Sequence, residues 1–228
     1  PRLLPYRILP DGTLAEWAHS HPAADSQHRH TSHLLGVFPY AQITPEGTPE
    51  LAEAAWKSME SRLCPEDNWE DTGWARSLLL LYSARLRKKE AVSHHLRSMQ
   101  KELTHPNLLV MHPPTRGAGS FMEVYELDGN TGLSMGIAEM LLQSHSGELR
   151  LLPCLPEEWD CGSVDGLLAR GNVRVGIRWQ EGRLEEARFT AAREMLISLE
   201  YRGIHRPLSL KAGVTETVTG EFFMPVGT

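Results

Sequence analysis

The feature that most constrains this chain is the stretch Glu126–Ser144, E-L-D-G-N-T-G-L-S-M-G-I-A-E-M-L-L-Q-S. Its first half, Asp128 to Gly132, reads as a turn, because glycine and asparagine tolerate left-handed backbone. From Leu133 onward, Leu133, Ile137, Met140 and Leu141 recur at i, i+4, i+7 and i+8, the apolar stripe of an amphipathic helix. Asp128 is therefore expected on a loop just ahead of a helix anchored in a core. A carboxylate displayed on a loop but held by a rigid element suits a catalytic base. The same spacing suits a helix cap, in which Asp128 or Asn130 accepts the first free N–H groups. Spacing alone leaves both roles open.

Apolar residues at 41% and charged residues at 23% describe an ordinary globular chain of one large or two smaller domains. A net charge of −6 without a basic cluster argues against nucleic acid or an anionic membrane surface as partner. The leucine run Leu78–Leu81 is far too short to span a bilayer. No signal segment is visible, and the opening P-R-L-L-P-Y without Met leads us to expect residues ahead of it. Three cysteines, Cys64, Cys154 and Cys161, are too few for a disulfide framework, match no zinc spacing, and are expected as buried thiols. No cofactor is expected.

Residues 1 to 27 read as irregular, broken by prolines. His19, His21, His28, His30 and His33 put five histidines within fifteen residues. A metal site is a weak reading of them, because on a helix His28 and His30 would point to different sides and no H-E-x-x-H pattern is present. Helices are expected from Pro49 to about Pro65 with Thr48 as cap, from Trp69 to Leu86, and from Lys89 to Leu103, paired as α-hairpins. Asp71 at a helix start is expected to complement the dipole, with Trp74 in the core. His112, held extended ahead of Pro113 and Pro114, has a partly fixed ring direction. After Gln143 the period changes to two. Strands are expected at Val173–Trp179, Leu184–Thr190, Leu196–Tyr201 and Glu221–Pro225, with a hairpin turn at Gln180–Arg183.

Several separate motifs share one resemblance. They are H-R-H-T-S-H-L (His28–Leu34), D-T-G-W-A-R (Asp71–Arg76), M-H-P-P (Met111–Pro114), D-G-N-x-G-x-x-x-G-I-A-E-M-L-L-Q-S-H-x-G-E-L-x-L-L-P-x-L-P (Asp128–Pro156) and G-S-V-D-G-L-L-A-R-G (Gly162–Gly171). In this order they resemble glycoside hydrolase family 95, a family of α-L-fucosidases and α-L-galactosidases. The resemblance implies part of a six-hairpin α/α barrel over residues 1–147, followed by an antiparallel, sandwich-like β domain over 148–228. It implies an inverting reaction on terminal α-L-fucosyl or α-L-galactosyl residues, with Asp128 on the base side. Arg29, His30, His112 and Asn130 then contact the sugar. The general acid is expected ahead of this chain, with Glu123 and Glu126 as the weaker alternatives inside it. The implied partners are a glycan substrate and the remainder of the enzyme or a complementary chain. The resemblance points to a secreted or cell-surface setting, while the sequence itself fixes no compartment.

Two departures bear on the substrate. Thirteen residues, Thr115–Leu127, stand between the prolines and Asp128, where the family has only a few, and Thr131 replaces the family's usual aromatic. A non-catalytic carbohydrate-binding or interaction module is the alternative reading; a metal-dependent hydrolase rests on the histidines alone.

Overall fold

The computed structural model describes residues 4–19, 28–63, 71–113 and 123–224, in two compact units, Pro1–Gly136 and Ile137–Thr228. His21, Cys64, Pro65, Trp69, Pro114, Phe121 and Pro225, which figure in the expectations above, lie outside the described residues. Among those described, no helix is long and apolar enough to cross a membrane.

In the first unit, α1 (Pro49–Leu63) opens on proline, whose missing N–H would have had no partner there anyway. Thr48 does not cap it as expected: its hydroxyl turns back to the Thr44 backbone, accepting the N–H at 3.0 Å. The following helix, α2 (Gly73–Arg85), begins four residues later than expected, capped by the Thr72 hydroxyl, which accepts the Ala75 N–H. It is buried nearly all round, as an apolar run such as Leu79–Tyr82 requires. By contrast α3 (Lys89–Glu102) is amphipathic and buries Val92, Leu96 and Met99. A short hairpin follows, β1 (Met111–His112) with β2 (Val124–Tyr125), pairing His112 with Val124.

The largest correction concerns the organising stretch. The last helix, α4 (Leu127–Leu141), starts before Asp128, so the D-G-N-T-G run is helical and not a turn. Its glycines serve close approach. A Cβ at Gly129 would meet Val110 and the backbone of Gly73 and Trp74 at 2.6–3.1 Å. One at Gly132 would strike Ser77, and one at Gly136 would strike Leu80. Gly129, Gly132 and Gly136 lie at i, i+3 and i+7, one face of α4, set against Trp74, Ser77 and Leu80 of α2. Interior glycines each cost a helix ~1 kcal/mol, so local propensity favours the turn and packing overrides it.

The second unit is β. Strands β3 (Leu142–Gln143), β4 (Leu149–Leu151), β8 (Met195–Tyr201) and β9 (Ile204–Leu210) form one sheet in the order β3-β4-β8-β9. The other, in the order β10-β7-β6-β5, joins β5 (Gly162–Ala169), β6 (Val173–Gln180), β7 (Arg183–Ala191) and β10 (Thr215–Thr219). Val173, Val175, Ile177 and Trp179 of β6 and Leu199 and Leu210 of the other sheet enter one shared core. Each such side chain contributes ~1.5–3 kcal/mol on burial. The expected turn at Gln180–Arg183 is a two-residue hairpin with Glu181 and Gly182 both at positive φ, the geometry that matches strand twist.

Three strand expectations need correction. The sheets are not wholly antiparallel, since β4 runs parallel to β8. Glu221 belongs to a 3-10 turn, Gly220–Phe223, that folds Phe223 into the core, so the described part of Glu221–Pro225 holds no strand. Strand β9 was not anticipated because it contains Pro207, which cannot donate to a ladder; its place at the sheet edge resolves the conflict. Cys154 is a buried free thiol as expected, whereas the Cys161 thiol is exposed.

Candidate functional site

The polar residues singled out in the sequence converge on the first turn of α2. The H-R-H-T-S-H-L segment is not helical at His28–His30, which overturns the premise that these rings diverge: they lie 4.5 Å apart. Three contacts brace the segment. Thr31 Oγ1 and the Tyr82 hydroxyl of α2 are 3.1 Å apart. Arg62 of α1 donates to the His28 carbonyl at 3.0 Å and to Glu16 at 2.8 Å. Glu16 also accepts the Ser32 hydroxyl at 2.7 Å, so one carboxylate ties the segment to α1.

Held this way, His30 meets the Trp74 ring edge-on at 5.1 Å. Trp74 is half-buried at the start of α2, so it is a ring displayed at the site and not a core residue. Burial, then the neighbouring His28 and Arg29 charges, lower the His30 pKa and favour a neutral ring. That is where the structure places Arg29: its charge acts on His30. Among the described residues no three His, Cys, Asp or Glu side chains gather as a metal cluster.

Glu126 is the residue that links the rest. Its Oε2 accepts the Trp74 N–H at 2.8 Å, at the positive end of α2. Burial raises its pKa; the Trp74 and Gly73 N–H groups and the His112 charge oppose that rise, and the Asp128 charge adds to it. The structure thereby brings His112, Glu126, Asp128, Trp74 and His30 into one neighbourhood. His112 Nδ1 lies 2.7 Å from the Pro113 carbonyl. A carbonyl only accepts, so Nδ1 carries a proton, and in the neutral tautomer of that ring Nε2 is the acceptor.

Asp128 is exposed in the first turn of α4, its Oδ1 accepting the Gly129 N–H at 2.9 Å. Asn130 is occupied with backbone. Its Oδ1 accepts the Val110 N–H at 2.8 Å and its Nδ2 donates to the Leu108 carbonyl at 2.9 Å, which fixes the segment leading into His112. Asp71 is likewise structural, taking Arg76 in a forked pair whose shortest contact is 2.7 Å. Arg76 in turn donates to the buried His95 at 3.1 Å, tying α2 to α3.

Sequence reasoning treated Glu126 as a minor candidate and Trp74 as core. The usable signal lay in two carboxylates at i, i+2 beside a glycine-flanked tryptophan at a helix start.

Two carboxyl groups in different surroundings, flanked by an oriented imidazole and an aromatic ring, suit acid–base work on a hydroxylated substrate. Comparison with known proteins points the same way. Residues 1–141 match the glycosyl hydrolase family 95 catalytic domain, and residues 143–221 match the glycoside hydrolase family 95 C-terminal domain. The chain is 34% identical over 224 residues to alpha-L-fucosidase 2 of Arabidopsis thaliana, covering 93% of this chain and 25% of that protein. It is 27% identical over 199 residues to probable alpha-fucosidase A of Aspergillus oryzae (strain ATCC 42149 / RIB 40), covering 78% of this chain and 27% of that one. The chain therefore spans about a quarter of the length of these relatives.

Proposed function

Because this chain belongs to glycoside hydrolase family 95, we propose that it supplies one side of the active site of an inverting α-L-fucosidase-type glycosidase. Its substrate is a glycan ending in α-L-fucosyl or α-L-galactosyl. Helices α1 to α4 form part of a six-hairpin α/α barrel over residues 1–147, and residues 148–228 form the β domain. The general acid comes from residues beyond this chain, so the 228 residues alone do not turn over substrate.

In this reading Asp128 accepts the proton of the attacking water. An inverting site needs acid and base ~6.5–9.5 Å apart, on opposite faces of the sugar. His112 Nε2 accepts a sugar hydroxyl, and Arg29 donates to hydroxyl oxygens. His30, edge-on to Trp74, lines the pocket. Asn130 holds the Leu108–Val110 segment, so its effect on the sugar passes through His112. Glu126, bound to the start of α2, is a positioning residue and not the missing acid. The observation that carries the proposal is the grouping of exposed Asp128 with His112 about Glu126 in a chain matched to the family's catalytic domain.

The bond from the Gly129 N–H to Asp128 favours one other reading, a cap in a carbohydrate-binding module without catalysis. Asp128→Asn in the full-length protein separates the two. Asn caps as well as Asp, so a cap predicts little change in either Tm or rate. A base predicts an unchanged Tm and a fall in kcat of about 10²-fold or more, measured as fucose released from an α-1,2-fucosylated oligosaccharide. Activity within a few-fold of the parent sinks the proposed role.

A further inference from the structure

A second polar site lies on the outer face of the β10-β7-β6-β5 sheet, wholly within the second unit. A cleft of about 330 Å³ opens there between β5 and β10, lined by Asp165, Arg174, Gly176, Arg188, Thr190 and Thr215. Pockets that take one small ligand begin at about this size.

The backbone is shaped around this cleft. The β5–β6 register shifts between Val164 and Leu167, so Asp165 and Gly166 together oppose one residue, Gly176. Gly166 sits at φ +82°, where only glycine is comfortable, and the bulge turns Asp165 across the sheet face. Gly176 leaves the room for it: a Cβ there would come within 2.4 Å of Asp165 Oδ1 and 3.3 Å of Arg188. A bulge and two glycines thus set an exposed Asp165–Arg188 pair at 2.5 Å. Exposed pairs contribute only about 0–1 kcal/mol to stability, so folding alone gives little reason for this arrangement.

The charges on this face do not cancel. Arg188 is offset by Asp165 and Glu186, and Arg178 by Glu185 and Glu186. Arg174 has no acidic partner among the described residues, and its Nη1 lies 3.8 Å from where a Gly166 Cβ would stand. Opposite it in register is Thr190, whose hydroxyl lies 2.8 Å from that of Thr215. The cleft thus offers one uncompensated planar cation, one carboxylate acceptor and a pair of hydroxyls.

We infer that this face is a second saccharide site that takes a uronic acid, its carboxylate on Arg174 and its ring hydroxyls on Asp165 and the Thr190–Thr215 pair. A guanidinium matches a carboxylate in a forked geometry, whereas a neutral sugar leaves that charge unmet. The choice of a saccharide rests on the family assignment. The site does not depend on Asp128, and its binding is read without turnover.

The test titrates the 228-residue chain with D-glucuronate, D-glucose and acetate while following backbone amide shifts by NMR. Glucuronate is expected to move Gly166, Gly176 and Thr190, with glucose binding at least ten-fold more weakly. Arg174→Gln, an exposed change, should weaken glucuronate at least ten-fold and leave the fold intact. A uronate disaccharide that binds more tightly than the monomer assigns the site to a glycan chain; equal binding assigns it to the free acid. The inference is overturned if glucose or acetate matches glucuronate, or if Arg174→Gln binds as the parent does. Fucose release by the full-length protein is unaffected by either result.

Discussion

The two units solve the burial problem in different ways. Residues Ile137–Thr228 share one core fed by both sheets, and their exposed large apolar side chains among the described residues are Leu168, Leu196, Val214 and Met224. The described residues of Pro1–Gly136 divide their core into smaller clusters, one around Tyr82, Met59 and Leu34 and another around Met99, Leu103 and Val110. They leave Leu4, Tyr6, Trp17, Tyr40, Leu108, Tyr125, Leu127 and more at the surface. The candidate active site lies in the unit with the divided core. There α4 approaches α2 through glycines, at Gly129, Gly132 and Gly136. The β unit behaves as a self-contained scaffold, while the helical unit leaves more large apolar side chains exposed among the described residues.

That contrast breaks most readily at Arg150. Its guanidinium is buried, 2.5 Å from Glu200 on the parallel partner strand and 2.6 Å from Glu148. Arg150→Ala leaves Glu200 buried without its cation and is expected to cost about 3–5 kcal/mol. For a chain of this size that lowers Tm by about 2–4 °C per kcal/mol. The double change Arg150→Met with Glu200→Leu should recover most of the loss, since well-packed apolar residues replace such pairs readily. A cost below about 1 kcal/mol for Arg150→Ala would show that the β unit tolerates an unpaired buried charge, and the scaffold reading would fall.

The helical unit should respond to acid instead. Burial, helped by the Arg76 charge, pushes His95 down to about 3, and burial pushes His33 down to about 4. Unfolded, both rings protonate near 6.5, so below that pH the unfolded chain binds more protons and stability falls as pH falls. The expected slope is ~1.4 kcal/mol per pH unit for each ring, across the window from 6.5 down to about 4. His95→Gln keeps an acceptor for Arg76 and removes one titration, so between pH 6.5 and 5, ahead of most carboxylates, it should lower the slope by up to about 1.4 kcal/mol per pH unit, leaving the shares of His33 and His30. Denaturant melts at several pH values measure it. A slope identical to the parent's assigns the acid sensitivity elsewhere.

How much of this was legible in the sequence follows the same division. Strand β6 could be read residue by residue, because Val173, Val175, Ile177 and Trp179 face one core and Arg174, Arg178 and Gln180 face out. The hairpin at Glu181-Gly182 was equally plain, being decided by local backbone preference. Strand β9 was hidden by Pro207, whose tolerance depends on an edge position that no local pattern encodes. In the candidate site, the motifs could be read from the sequence and their geometry could not. Asp128, His112, His30, Arg29 and Asn130 could be named as candidates from their motifs, but the helix under Asp128 exists because α4 approaches α2 through missing side chains. A glycine in sequence looks the same whether it frees φ or admits a neighbour. The same ambiguity concealed Glu126, whose importance comes from the start of α2, distant in sequence.

The smallest expected effect discriminates most finely between these two uses of glycine. Gly129 and Gly132 stand one turn apart on the same face of α4, so their helix propensities are equivalent. A Cβ at Gly129 meets backbone, with the Gly73 carbonyl carbon at 3.0 Å and the Trp74 nitrogen at 3.1 Å, as well as Val110 at 2.6 Å. Backbone cannot rotate away, so Gly129→Ala should cost about 1–3 kcal/mol as an overpacked contact. At Gly132 the obstacle is the Ser77 side chain, with Oγ at 2.3 Å and Cβ at 2.8 Å. The hydroxyl can leave the Trp74 carbonyl, to which it donates at 2.7 Å, at a loss of about 0.5–1.5 kcal/mol. Alanine returns up to ~1 kcal/mol of helix propensity at either position, and Ser77 Cβ, fixed to its backbone, still has to give, so Gly132→Ala should cost less than Gly129→Ala without becoming stabilising. Had the run been a turn of left-handed glycines, both alanines would destabilise alike, and by more than propensity could restore. Paired melts of the two variants decide the matter: a loss about 1 kcal/mol larger at Gly129 supports glycine as a packing device, and equal losses return the D-G-N-T-G run to a loop.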